Sequence, residues 1–157
     1  MAEGSERFEL HKQHSAGQDK YTYFLLAAAA SGIAFAVTKT EGLAASWWLT
    51  PVGLAITAWA VSFYAGCRAV QWTQACIGAN YNLLCLQSGT HPDQPPTPQT
   101  VAAAMRGVEK ALASNATNVE LWCKVQFRSL VAGGILFIGW RIAEMVRVSM
   151  AMASAAK

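Results

Sequence analysis

Arg141 and Glu144 are the pair of residues with the clearest capacity for chemistry, because they lie three positions apart in an otherwise apolar segment. Ionisable side chains in a membrane helix are costly, and they often mark a pathway, a partner or an interface. A pair at i and i+3 can also extend its side chains to the membrane surface, and the short apolar run before it favours this alternative. Leu130, Gly134 and Phe137 share a helical face with Arg141. This face is therefore a candidate self-associating interface.

A second candidate is a stripe of uncharged polar residues. Gln71, Gln74, Gly78 and Asn82 fall at i, i+3, i+7 and i+11 of a predicted helix. Uncharged polar side chains accept water and ions, so several copies around an axis could line an aqueous vestibule with them. Hydrogen bonding to neighbouring helices is the more common role of such residues. A pore and a packing role remain alternatives for this stripe.

The sequence does not indicate metal, cofactor or catalytic chemistry. The cysteines form no C-x-x-C pair and have no histidine at ligand spacing, so we expect reduced, mostly buried thiols at Cys67, Cys76, Cys85 and Cys123. His11 and His14 lack a third ligand, and a solvated helix face is the expected role for them. The chain has no G-x-S-x-G, no H-E-x-x-H and no glycine-rich phosphate loop. We therefore expect no enzyme activity and no cofactor.

Composition points to a helical membrane protein. Of the 157 residues, 54% are apolar and 13% are charged, about half the roughly 25% of charged residues in soluble domains. The net charge of +3 comes from basic residues that are scattered singly along the chain. Nucleic acid is therefore not an expected partner. We predict an all-α integral membrane protein with three transmembrane helices and a helical cytoplasmic segment between the second and third.

The first predicted transmembrane helix covers residues 21–38, which carry no charge. Eighteen residues make a helix of about 27 Å, close to the thickness of the hydrocarbon core of a bilayer. Small residues on this helix allow another helix to approach closely. They are the candidate packing residues Ala27, Ala28, Ser31 and Gly32.

The second predicted transmembrane helix covers residues 47–67. Trp47 and Trp48 suit the membrane interface, and Pro51 is tolerated in a first helical turn. At the other end we expect a second aromatic belt, formed by Trp59, Phe63 and Tyr64. A helical extension over residues 68–87 should follow, because the chain there keeps a helical pattern of polar and apolar residues.

A proline-rich linker is predicted over residues 88–98, and an amphipathic helix over 99–114, with Thr97 as its cap. Thr117 and Glu120 match a capping box, which predicts that a further helix starts there and covers residues 118–150. The charge-free stretch of this helix is too short to cross a membrane, so we expect the third span to extend over about residues 129–149. Residues 1–20 are predicted to form a cytoplasmic N-terminal helix.

Eight basic residues lie before the first span and between the second and third. The positive-inside rule then places the N-terminus and the middle segment in the cytoplasm, in a bacterial-type cell inner membrane. Three spans are too few to enclose a solute pathway in one chain, so we expect a homo-oligomer, with a pore as one hypothesis. The alternatives are a membrane anchor that docks a cytoplasmic protein, and a membrane-disrupting effector of a bacterial defence or toxin system.

Overall fold

The computed structural model of the protein describes the backbone of residues 2–42 and 46–155, and the side chains of residues 17, 20–42 and 46–154. The described residues are almost entirely helical and contain no β-strand. Three long helices and one short 3-10 turn make up the structure: α1 (Ala2–Thr40), the turn (Trp47–Leu49), α2 (Thr50–Ser88) and α3 (Pro98–Ala155).

α1 is one continuous helix of 39 residues. It therefore joins the predicted N-terminal helix and the first predicted span without a break. The helix ends at Thr40, and Gly42 follows with a φ of +78°. This left-handed conformation favours glycine and is common just after the end of a helix.

α2 is also 39 residues long and has Pro51 in its first turn. It continues through residues 68–87, where the sequence predicts a helical extension. At its end, Gly89 takes a φ of +71°, and the amide of Thr90 donates to the carbonyl of Cys85 at 3.0 Å. This is a Schellman-type helix end, in which a left-handed residue allows a late amide to reach back to an unpaired carbonyl.

α3 begins at Pro98, and Thr97 caps it as the sequence predicts. The Thr97 hydroxyl accepts a bond from the amide of Thr100 at 3.3 Å, while the Thr100 hydroxyl accepts one from the amide of Thr97 at 3.2 Å. Each threonine thus satisfies an amide that the helix start leaves unpaired.

The predicted helix start at Thr117 is wrong, because α3 runs unbroken for 58 residues through this position. The Thr117 hydroxyl donates back to the carbonyl of Ala113 at 3.0 Å, as threonines inside helices do. Glu120 pairs with Lys124 one turn later instead of folding back to cap a helix. No proline or glycine occurs between residues 111 and 120 to end the first segment, so the local capping pattern has no effect.

The chain divides into two compact units. The first, called here the three-helix unit, contains Met1–Gly66 and Val125–Lys157, and the second, the hairpin unit, contains Cys67–Lys124. In the three-helix unit, inward residues recur every three or four positions. They are Leu25, Ala29, Gly32 and Ala36 on α1, Val52, Ala55, Trp59, Ser62 and Gly66 on α2, and Gln126, Leu130, Gly133, Phe137 and Trp140 on α3. This spacing is typical of helices that pack along a narrow seam.

Three helices are long and apolar enough to cross a membrane. The qualifying segments are Lys20–Thr40, Trp47–Ser88 and Pro98–Ser154, and each contains a strongly apolar stretch of 18 residues with at most two charged residues. Large apolar side chains on the outside of the three-helix unit are exposed, among them Phe24, Leu54 and Ile135. An outside of this composition suits lipid better than water.

Candidate functional site

The interior of the three-helix unit is organised around Trp59, which is 6% exposed. A Cβ added to Gly32 would lie 3.0 Å from its ring, and a Cβ added to Gly133 would lie 2.6 Å from Nε1. The ring therefore fits between two helices because both neighbours are glycines. Its Nε1 donates to the carbonyl of Leu130 at 3.2 Å. The expectation that Trp59 belongs to an aromatic belt is wrong, because the ring is buried between helices. Phe63 and Tyr64, the other two residues predicted for that belt, are exposed.

A polar layer lies one turn further along the same seam. Ser62 and Gln126 are both buried, and the Ser62 hydroxyl donates to the Gln126 carbonyl at 2.8 Å. The Gln126 side chain donates to the carbonyl of Thr22 at 3.4 Å, so α1, α2 and α3 are joined at this level. A Cβ at Gly66 would lie 2.5 Å from Gln126 Nε2. Polar side chains buried between apolar helices stabilise their association through such bonds.

Gln126 is not among the candidates from the sequence, because it lies between Lys124 and Arg128, before the predicted third span (129–149). The signal that identifies it is periodicity. Gln126, Leu130, Gly133 and Phe137 follow each other at spacings of four, three and four, so Gln126 continues the inward face by one turn. Its Oε1 has no hydrogen-bond partner among the described residues.

Glu144 and Arg147 form an ion pair near Trp48 in the three-helix unit. Arg147 donates from Nη2 to one carboxylate oxygen at 2.8 Å and from Nε to the other at 3.1 Å. The indole of Trp48 also donates to Glu144, and the Arg147 guanidinium lies 5.5 Å from the centre of the Trp48 ring. Glu144 is therefore hydrogen-bonded to Arg147, whereas the Arg141 side chain is exposed. The carboxylate holds the arginine against an aromatic face.

An open, largely apolar cavity of about 460 Å³ adjoins this ion pair. It lies between the start of α2 and the second half of α3, and its walls include Trp47, Trp48, Pro51, Gly139, Trp140 and Ala143. Trp140 is 5% exposed, and its Nε1 has no acceptor among the described residues. Phe137 packs behind Trp140 with ring centres 5.8 Å apart. One wall of the cavity is therefore aromatic.

The predicted stripe lies on α2 in the hairpin unit, and Gln71, Gln74 and Asn82 are all exposed. Gln71 accepts a bond from Arg68 at 2.8 Å. Ile77 and Tyr81 are exposed beside the stripe, at 56% and 66%. The outward face of α2 here is therefore partly polar, partly apolar and free of charged residues from 69 to 92.

Arg68 lies between two tryptophans of the hairpin unit. Its guanidinium is 5.7 Å from the ring centre of Trp72 and 5.9 Å from that of Trp122. Stacking of this kind holds an arginine in place while its charge remains near the surface. This cluster gives Arg68 a structural role within the hairpin unit.

The predicted packing residues of α1 differ in their surroundings. Gly32 contacts Trp59, Ala28 is half-buried, and Ala27 and Ser31 are exposed. On α3, Gly134 is half-buried, and a Cβ placed there would have no neighbour within 4 Å. Phe137, which the sequence places on the face of Gly134 and Arg141, is instead buried in the seam. A role of Ala27, Ser31 and Gly134 in contacts between copies of the chain stays a prediction.

The four cysteines are free, and all are half-buried rather than mostly buried. Burial raises the pKa of the Cys123 thiol, which keeps it protonated and unreactive at neutral pH. Among the described side chains, no three of the types His, Cys, Asp and Glu lie close enough to hold a metal ion. The side chains of His11 and His14 lie outside the described residues.

Comparison with protein-family models, with curated proteins and with solved structures found no match for this chain.

Proposed function

We propose that this protein is a multi-pass membrane protein of a bacterial-type inner membrane that assembles into a homo-oligomer, with a pore between the copies and no catalytic activity. Three helices with the length and hydropathy of membrane spans support residence in a bilayer. Lipid would cover the exposed apolar side chains of the three-helix unit. The N-terminus and the hairpin unit would face the cytoplasm, according to the distribution of basic residues.

The observation that carries the oligomer is the outward face of α2 in the hairpin unit. Helix faces that meet water usually carry charged residues, whereas this one has none between Arg68 and Asp93. It exposes Ile77, Tyr81 and Leu84 beside the polar stripe. In the same unit, α3 exposes Arg106, Glu109 and Lys110, as a solvated face does. The contrast favours contact between copies through α2.

The interior of the three-helix unit supports a pathway between copies instead of within one. Trp59 fills the space between Gly32 and Gly133, and Phe137 lies 5.7 Å from its ring centre. Ser62 and Gln126 bond to each other across the next part of the seam. Close packing of this kind leaves the centre of a single copy without room for a solute.

The oligomer is tested by size-exclusion chromatography with light scattering in mild detergent. The wild-type chain should elute as a multimer, and Tyr81→Glu should lower the measured mass, because a charge at a buried contact is costly. Ala113→Glu is the matched control: it places the same charge at an exposed position on α3 and should leave the mass unchanged. A monomeric wild-type particle would overturn the proposal.

The pore is tested separately by ion flux through reconstituted vesicles. If Gln74 lines the pathway, Gln74→Asp adds a fixed negative charge and should raise the permeability of cations relative to anions. Ala113→Asp should leave this ratio unchanged. A multimer that conducts no ions would contradict the pore. An equal change of the cation-to-anion permeability ratio in both variants would contradict it as well.

A membrane anchor or adaptor is the second candidate, and the exposed pair Tyr81 and Leu84 favours it equally well. Its signature differs from that of the homo-oligomer. Native membranes would yield one copy of this chain bound to a fixed stoichiometry of another protein, and Tyr81→Glu would release that protein.

A further inference from the structure

We propose that the cavity between the start of α2 and the second half of α3 is a binding site for one phospholipid. Its acyl chain would lie against the apolar walls, and its phosphate would bind Arg147. The inference shares with the proposed function the residence of the chain in a bilayer, but it does not require an oligomer.

The walls of the cavity suit an acyl chain. Trp47, Trp48 and Pro51 form one side, and the small residues Gly139 and Ala143 leave room on the other. A Cβ at Gly139 would have no neighbour within 4 Å. The volume of about 460 Å³ lies within the range of roughly 300–1,000 Å³ that is common for small-molecule sites.

The charges beside the cavity suit a phosphate. Glu144 accepts bonds from Nε and Nη2 of Arg147, which leaves Nη1 free to donate to a ligand. The Arg147 side chain is 59% exposed, whereas that of Glu144 is 18% exposed. Arg141 is also exposed one turn before Glu144. Two arginines and one shielded carboxylate give this end of α3 a local charge that attracts an anion.

The arginine is already oriented for binding. It lies over the Trp48 ring and is held by two bonds to Glu144, so little side-chain freedom is lost when a ligand binds. Trp140 also lines the cavity and adds apolar contact area for the acyl chain.

The test is native mass spectrometry of the delipidated full chain in detergent. The protein is mixed with equal amounts of phosphatidylglycerol, phosphatidylethanolamine and a diacylglycerol with the same acyl chains. We expect one phospholipid per copy, and about tenfold less retention of the diacylglycerol, because the latter lacks the phosphate that a charge-assisted hydrogen bond needs. Retention of the diacylglycerol at the level of the phospholipids would overturn the phosphate site.

Two variants test the two halves of the site. Arg147→Gln should reduce phospholipid retention about tenfold, and Gly139→Leu should abolish it by filling the cavity. Arg128→Gln, which removes a charge from an exposed position on the same helix, is the control and should retain the lipid. Equal loss in Arg128→Gln and Arg147→Gln, or full retention in Gly139→Leu, would overturn the proposal.

Excess inorganic phosphate distinguishes a lipid from a free anion. We expect it not to displace the phospholipid, and displacement would overturn the lipid as occupant. The mass of the particle in the same spectra separates this inference from the proposed function. A monomer that retains one lipid supports the site and contradicts the oligomer, whereas a lipid-free multimer in which a second copy fills the cavity does the reverse.

Discussion

The indole of Trp59 meets bare backbone on two sides, because neither Gly32 nor Gly133 brings a Cβ to the ring. A large aromatic side chain and two glycines thus form one packing unit across α1, α2 and α3. Its hydrogen bond to Leu130 fixes the orientation of the ring, because an indole nitrogen is a donor that needs an acceptor when buried. Each of the three positions therefore restricts the residue type at the others.

Gly133→Ala should destabilise the protein by about 1–3 kcal/mol, the usual cost of overpacking. The new methyl would lie 2.6 Å from Trp59 Nε1 and 3.0 Å from the backbone oxygen of Ala55, which cannot move freely. The midpoint of thermal unfolding in detergent, followed by circular dichroism, measures the effect.

Gly134→Ala is the control, since its methyl would enter open space. Alanine is the better helix former, so its midpoint should be equal or higher. Equal loss of stability in both variants would contradict the packing described for Trp59.

The residues of the seam show where sequence reasoning succeeds and where it fails. Gly32 was selected because small residues favour close helix approach, and it does lie against another helix. Trp59 was assigned to a belt because tryptophan usually favours the membrane interface. Its burial depends on glycines 27 positions before it and 74 after it, and no local pattern reveals such a long-range match. Gln126 differs from Trp59, because its place on the inward face follows from the helical spacing of Leu130, Gly133 and Phe137.

At the scale of elements, the continuity of α3 is the main difference from the sequence prediction. A threonine followed three residues later by a glutamate is a good start signal, but the helix that precedes it contains no residue that ends it. Alanine-rich sequence before Thr117 favours continued helix. The ends of α2 and α3 around residues 88–98 were predictable, because glycine and proline act there through backbone geometry alone.

Asn118→Pro distinguishes a continuous α3 from two helices. In the middle of a helix, proline removes a hydrogen bond and clashes with the preceding turn, at a cost of about 3 kcal/mol. We expect a loss of that order in detergent and a lower helical signal in circular dichroism. Asn118→Ala, which keeps the backbone bond, should be tolerated. Full stability of Asn118→Pro would fit a helix that begins at this point, where proline is favoured.

The ion pair of Glu120 and Lys124 adds a pH dependence to α3, outside the third predicted span (129–149). The hydrogen bond from Lys124 lowers the pKa of Glu120. The pair therefore contributes stability above the ordinary pKa of a glutamate and loses it as the pH falls through the lowered value. Lys124→Gln should raise the pKa of Glu120 in a carboxyl-carbon NMR titration. An unchanged midpoint in this variant would show that the pair does not form in solution.

For the whole molecule, the decisive property is the environment of the exposed apolar residues. Ile135 is 67% exposed on α3 of the three-helix unit. If lipid surrounds it, Ile135→Asp should reduce the amount of chain recovered in membranes after alkaline carbonate extraction. A carboxylate at a span centre costs roughly 2.5–3.5 kcal/mol on insertion scales. Ala113→Asp, at an exposed position of the hairpin unit, should have no such effect. Soluble recovery of the wild-type chain would exclude the membrane assignment.

The two glycines that pack against Trp59 are made at different times during synthesis. The ribosome makes Gly32 before the tryptophan, but it makes Gly133 74 residues after Trp59. At about 5–20 residues per second, Gly133 is made roughly 4–15 seconds after Trp59. If the chain enters a membrane during synthesis, the indole is not yet covered by Gly133 in that interval and can contact the insertion machinery. Nascent chains truncated before and after residue 133 should therefore differ in how readily a photocrosslinker at position 59 captures an insertase.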